Sequence, residues 1–264
     1  MSVPASSSPD SAAAVRSLPR LADLARLLRA AIRAPAYEPA ATDLREVRVA
    51  GVALPARATV VLFVATAALV LDATKRGVLP AVGGLLGDGD PVLNLALERA
   101  ILFGALPLLV VTLGFRDRPA RFGLTLGDWR WGAGLLLIGL VVMTPIIAWF
   151  SGFQDFVAYY GTVEGSIGQI ALRNAIEVIP AEFLFRGFLM FVLLRRIGPL
   201  AIVVVQVPFV MAHIGKPEIE LWSTFIGGSV FAWLDWRTGS VVWSALGHLY
   251  VLTLMVVLAR GLLG

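Results

Sequence analysis

Long apolar runs separated by short polar stretches organise this chain. They lie at 56–72, 95–115, 131–150, 167–194, 198–214, 220–236 and 240–261. Each approaches the roughly 20 residues that a helix needs to cross a bilayer. The pattern predicts about seven transmembrane helices.

The intervening stretches differ in charge. Arg116, Arg118 and Arg121 separate the second run from the third, Arg195 and Arg196 the fourth from the fifth, and Arg237 the sixth from the seventh. Residues 151–166, between the third and fourth, carry Asp155 and Glu164 and no Lys or Arg. Alternate loops are the basic ones, which by the positive-inside rule puts the N-terminus in the cytoplasm. Lys75, Arg76, Arg173, Lys216 and Arg260 fall on or near the opposite side. All seven tryptophans (Trp129, Trp131, Trp149, Trp222, Trp233, Trp236 and Trp243) fall near run ends, where an aromatic belt belongs.

Ahead of the runs, residues 1–15 are mostly Ser, Ala and Pro, with no apolar core of signal-peptide type after them. From Pro19 to Arg33, Leu21, Leu24, Leu27, Leu28 and Ile32 recur at helical spacing among Arg20, Arg26, Arg29 and Arg33. This predicts a basic amphipathic helix that lies on an anionic membrane surface or docks on the protein. Residues 35–57 read as a linker. The expected division is therefore 1–45, a disordered start plus this helix, and 46–264, a multi-span membrane domain.

Composition agrees. The chain is 58% hydrophobic and 15% charged, with mean hydropathy +0.83, where a soluble domain would be about 25% charged. The fold class expected is all-α, a polytopic helical membrane bundle. With no cysteine, disulfides and thiolate metal sites are excluded. The net charge of +4 bears on topology and lipid headgroups, and no nucleic-acid partner is expected.

Against this background, residues 176–187 stand out. They set Glu177, Glu182 and Arg186 inside an apolar run, where ionised groups face the bundle interior and usually carry function. Glu182 and Arg186 are four residues apart and share a helical face; the bland alternative is a structural ion pair. The only two histidines, His213 and His248, also lie in apolar runs. Counting from the basic loops at 1.5 Å per residue puts Glu182 and His213 roughly 20 Å deep and His248 roughly 16 Å. Carboxylate and imidazole in a dry pocket make a general base for water. Zinc held by Glu182, His213 and His248 is the alternative, although nothing resembles His-Glu-x-x-His. An ion pathway would use the same residue types.

At these residues the chain resembles the CPBP family of intramembrane endopeptidases (CAAX proteases and bacteriocin-processing enzymes, also called Abi). The likeness covers roughly 95–261. The family's Glu-Glu-x-x-x-Arg is matched by Ala181, Glu182 and Arg186, followed by Gly187; its Phe-x-x-x-His by Phe209 and His213; its His-x-x-x-Asn/Asp by His248 alone. Two departures are Ala181, where the family has its water-activating glutamate, and Leu252, where it has an amide or acid. Tyr250 and Thr253 are the hydrogen-bonding side chains nearest to that last position in sequence. Gly215, Lys216 and Pro217 after the second motif are similar to one bacterial branch with a single glutamate.

The resemblance implies an intramembrane endopeptidase in the bacterial cytoplasmic membrane that cleaves a membrane-associated protein or peptide. Glu182 and His213 would activate water, His248 would assist at the oxyanion and Arg186 would orient Glu182. Glu177 and Glu220 are auxiliary candidates. The lipid bilayer is the other partner, and no cofactor or metal is expected, zinc remaining the alternative. Ala181 and Leu252 motivate a competing reading, a pseudoprotease or scaffold that binds membrane segments without cutting them.

Overall fold

The computed structural model describes residues 26, 29, 30, 33–74 and 91–263. Of the predicted helix Pro19–Arg33, Arg26, Arg29 and Ala30 are helical; its other residues up to Ile32, residues 1–15, and Lys75 and Arg76 lie outside the described residues. Met1–Arg33 and Ala34–Gly264 form separate units, and Glu182, Arg186, His213 and His248 all belong to the second.

The linker stretch departs from an all-helical chain. A four-residue helix, α1 (Ala41–Leu44), leads into an antiparallel hairpin of β1 (Glu46–Val49) and β2 (Val52–Pro55). Both turn residues, Ala50 and Gly51, have positive φ (49° and 84°). That is the turn geometry whose twist matches a two-residue hairpin, and the glycine adopts it at no steric cost. The chain is otherwise helical: α2 (Ala56–Ala73), α3 (Leu93–Gly114), α4 (Trp129–Phe150), a short α5 (Gln154–Tyr160), α6 (Ile167–Ile197), α7 (Leu200–Met211), α8 (Glu218–Thr238) and α9 (Val242–Ala259). The α5 turn lies in the stretch the sequence reads as loop.

Among the described residues, α2, α3, α4 and α9 are long and apolar enough to cross a membrane. This is a helical membrane protein. Helix α7 has 12 residues, about 18 Å against a hydrocarbon core of about 30 Å. The chain leaves it in a turn at residues 212–216, so His213 lies just past a helix end.

Helix α6 is the centre of the fold. It begins at Ser166, whose hydroxyl accepts from the Gln169 N–H while Gln169 Oε1 accepts from the Ser166 N–H, a capping box. Its first part, Ile167–Glu182, contains Pro180, which cannot donate to the preceding turn. A π-helical stretch, Phe183–Met190, follows at once, and regular helix resumes over Phe191–Ile197. A widened turn next to a proline is a recognised way for a helix to absorb a lost hydrogen bond. Every residue from Glu182 to Arg195 is buried, because α2, α3, α7 and α8 pack around this half of the helix. A second apolar cluster joins Ile147, Phe156, Ile170 and Val256 from α4, α5, α6 and α9.

At the Arg195 end a closed ring of charges ties the chain before α2 to the loop after α3. Asp43 binds Arg57 at 2.7 Å, Arg57 binds Asp117 at 2.7 Å, Asp117 binds Arg121 at 2.5 Å, and Arg121 returns to Asp43 at 2.6 Å. Burial works to raise the Asp43 carboxyl, but the Ala40 N–H and Arg121 outweigh it and hold it below its ordinary value. Nearby, the Tyr37 hydroxyl donates to Trp236 O (3.1 Å) and the Trp236 indole to Pro35 O (3.0 Å). Residues 34–45 thus pack as part of the same unit as the helices.

Candidate active site

Helix α6 delivers Glu182 and Arg186, the turn after α7 delivers His213, and α9 delivers His248. Glu182 and Arg186 are both 0% exposed. Arg186 Nη1 donates to Glu182 Oε2 at 2.7 Å, and His248 Nδ1 meets Glu182 Oε1 at 2.6 Å. Both carboxylate oxygens are therefore engaged, one by a guanidinium and one by an imidazole. The guanidinium also lies 3.9 Å above the Phe209 ring, with Nη2 at 3.4 Å from Gly228 O.

The two imidazoles stand nearly parallel, 6.3 Å apart between centroids and 22° between planes, with the Phe209 ring against both. Their tautomers follow from their partners. His213 Nδ1 is 2.8 Å from Phe209 O; a carbonyl can only accept, so Nδ1 carries the proton and Nε2 the lone pair. His248 donates its Nδ1 proton to the Glu182 carboxylate, which again leaves Nε2 as the second nitrogen. The phenylalanine of the second motif thus holds both Arg186 and the histidine rings in place.

The auxiliary candidates are engaged elsewhere. Glu177, its side chain 36% exposed, pairs with Arg99, which also binds Asp72 at 2.7 Å. Glu220 accepts from Tyr160 (2.7 and 2.8 Å) and from Lys216 (2.8 Å). Burial and the Glu220 charge push the Tyr160 phenol well above its ordinary range, so it stays a donor. Tyr250 shares a hydrogen bond with Thr144 (2.6 Å), and Thr253 accepts from Asn174 (3.1 Å). Ala181 packs against the apolar core.

Zinc would find few donors here that are not already hydrogen-bonded. Glu182 spends both oxygens on Arg186 and His248, and each Nδ1 is already bonded. Two imidazole nitrogens remain, fewer than the three or four ligands zinc takes. Among the described residues, no group of three or more His, Asp or Glu is gathered to hold a metal.

Sequence reasoning missed Asp235 and Ser244, both 0% exposed and joined at 2.7 Å. Ser244 lies one turn before His248 on α9, which brings Asp235 close beneath the Glu182–His248 pair. An acid between Trp233 and Trp236 in an apolar run was the available signal. Asp235 Oδ1, Arg186 Nε and Gln206 Oε1 are buried without a hydrogen-bond partner among the described residues.

The comparisons with known proteins fall on the same stretch of chain. Residues 164–253 match the family model described as type II CAAX prenyl endopeptidase, Rce1-like. The segment bearing the three motifs is thus similar to the CAAX-protease family. No curated protein and no solved structure matches the chain. The matched segment runs from the residues just before α6 to the middle of α9, so it takes in Glu182, Arg186, His213 and His248 together.

Proposed function

We propose that this protein is an intramembrane endopeptidase that hydrolyses a membrane-associated protein or peptide with water activated at His213 and the oxyanion met by His248. The observation that carries the reading is the Glu182 carboxylate bridging Arg186 and His248 in a dry interior, with His213 stacked beside them. The likeness of the matched segment to the CAAX-protease family supports the reaction class.

Because Glu182 has no free oxygen, it works through His248 as a positioning residue, and the imidazoles carry the proton steps. His213 Nε2 takes a proton from water, whose oxygen attacks the scissile carbonyl carbon and forms the tetrahedral oxyanion. His248, in its imidazolium form with Nδ1–H held by Glu182, donates a hydrogen bond from Nε2–H to that oxyanion. His213 then gives its proton to the amide nitrogen as the C–N bond breaks, so that acid and amine leave with the elements of water added. Arg186 balances the Glu182 charge. Around this site we infer seven spans, α6, α7 and α8 joining the four helices that are long and apolar enough to cross, with the basic loops and the N-terminus in the cytoplasm. No resident cofactor is needed.

The test is a comparison of protein termini in membranes of cells making the wild-type chain, His213→Ala or His248→Ala. New termini that require both histidines support the reading; none, or termini indifferent to both, refute it. Ala181 and the occupied Glu182 favour one competitor, a pseudoprotease that binds segments without cutting. Photo-crosslinking would then capture the same segments in all three proteins with no new termini, and Ala181→Glu would be the change that creates them.

A further inference from the structure

The β1–β2 hairpin carries a face built for something other than water. Side chains alternate across a strand pair, and the register Val49↔Val52 and Val47↔Leu54 sets these four apolar residues on one face. Glu46, Arg48, Ala53 and Pro55 take the other. Val47, Val49 and Val52 are 39%, 57% and 59% exposed. A lone two-stranded hairpin is marginal in water, and a valine face turned to solvent adds nothing to hold it.

Its position says what covers that face. Pro55 ends β2 and is also the N-cap of α2, a helix apolar and long enough to cross a membrane. The Ala56 N–H donates to Arg45 O at 2.9 Å, which ties both ends of the hairpin to the mouth of that helix. Four residues of strand reach only about 13 Å, so the whole hairpin stays near the level at which α2 enters the bilayer.

Charge points the same way. Arg45 and Arg48 are exposed on or beside the hairpin, and Arg116 and Arg118 are exposed on either side of Asp117. Asp117 binds Arg57 in the first turn of α2, so all four arginines sit at one end of the bundle. An element with an apolar face, arginines around it and this depth lies in the plane of a membrane interface.

We propose that the β1–β2 hairpin is an interfacial anchor that lays Val47, Val49 and Val52 on the acyl boundary while Arg45, Arg48, Arg116 and Arg118 engage the phosphates of anionic phospholipids. It fixes the depth of α2 and of the Asp43–Arg57–Asp117–Arg121 ring at its mouth. The anchor depends only on the chain being a membrane protein, not on its being a protease.

Because the chain has no cysteine, one introduced thiol is a unique label. Full-length Val49→Cys, Val52→Cys and Arg48→Cys, each spin-labelled, are placed in phosphatidylcholine vesicles with and without phosphatidylglycerol. Collision with oxygen reports lipid, and collision with a water-soluble nickel chelate reports solvent. The expected oxygen-to-nickel ratio is severalfold higher at 49 and 52 than at 48, and it falls at both when phosphatidylglycerol is omitted. Equal ratios at all three positions would mean a solvated hairpin. Labels reached by neither reagent would mean a protein cover, from the N-terminal segment or a second copy. Ratios indifferent to phosphatidylglycerol would remove the anionic headgroup. Each of these results overturns the proposal.

Discussion

Replacing Glu182, Arg186 or both by Met tests whether the site is as dry as its burial indicates. In Glu182→Met the guanidinium stays sealed in the core, facing the Phe209 ring at 3.9 Å and Gly228 O at 3.4 Å. Removing one partner of a buried pair costs about 3–5 kcal/mol. Arg186→Met leaves Glu182 with His248 and forfeits a desolvated cation–ring contact worth about 2 kcal/mol, so its cost falls in the same range. Independent effects would sum to about 6–10 kcal/mol in the double variant. The double variant, however, leaves neither member of the pair buried without the other. Its main loss is the acceptor for His248 Nδ1, about 1–3 kcal/mol. Unfolding in mixed detergent micelles, followed by far-ultraviolet circular dichroism, should therefore place the double variant several kcal/mol above the stability that the summed single costs predict. Costs that simply add, within about 1 kcal/mol, would refute the reasoning.

Three further outcomes are expected. Arg57 and the Arg118 N–H hold Asp117 low against its burial, as Arg121 and the Ala40 N–H do Asp43. Depressed carboxyls give stability that is complete above the ordinary value of 3.8 and lost as pH falls toward their folded values; unfolding midpoints should drop more steeply below about pH 4 in wild type than in Asp43→Asn, and parallel curves would count against the ring. A Cβ at Gly228 would stand 2.3 Å from Gln206 Oε1 and 2.9 Å from the Phe209 ring, so Gly228→Ala should cost about 1–3 kcal/mol, part of it restored by Gln206→Ala; an unchanged melting temperature would contradict this. For cleavage of a substrate found by its new termini, His248→Ala should lower the rate about a hundredfold or more, whereas Glu220→Gln, which keeps an acceptor for Tyr160 and Lys216, should leave it nearly unchanged; equal losses would put Glu220 in the machinery.

Much of the helical framework is legible in the sequence because each apolar run is long and continuous. The residues of α2, α4 and α9 need no partner to be recognised. Helix α6 is legible as an apolar run but not as the centre of the fold, since its burial on all sides depends on helices far away in the chain. The hairpin is not legible: its strands are four residues each, and its turn is Ala50–Gly51 in place of the usual Asn-Gly. Local spacing puts Glu182 and Arg186 on one face, and they meet at 2.7 Å. The same spacing cannot reveal that Arg99 takes Glu177, or that Asp235 lies under His248, because both depend on neighbouring helices. Nor can it say that Arg186 and His248 each take one oxygen of Glu182.

The most direct test of the central claim is hydrolysis of an identified substrate in heavy-oxygen water. If His213 activates water and His248 meets the oxyanion, the wild-type protein places one heavy oxygen in the new C-terminal carboxyl, and His213→Ala forms no labelled product. A new terminus without label, or labelled product formed equally well by His213→Ala, would contradict the account.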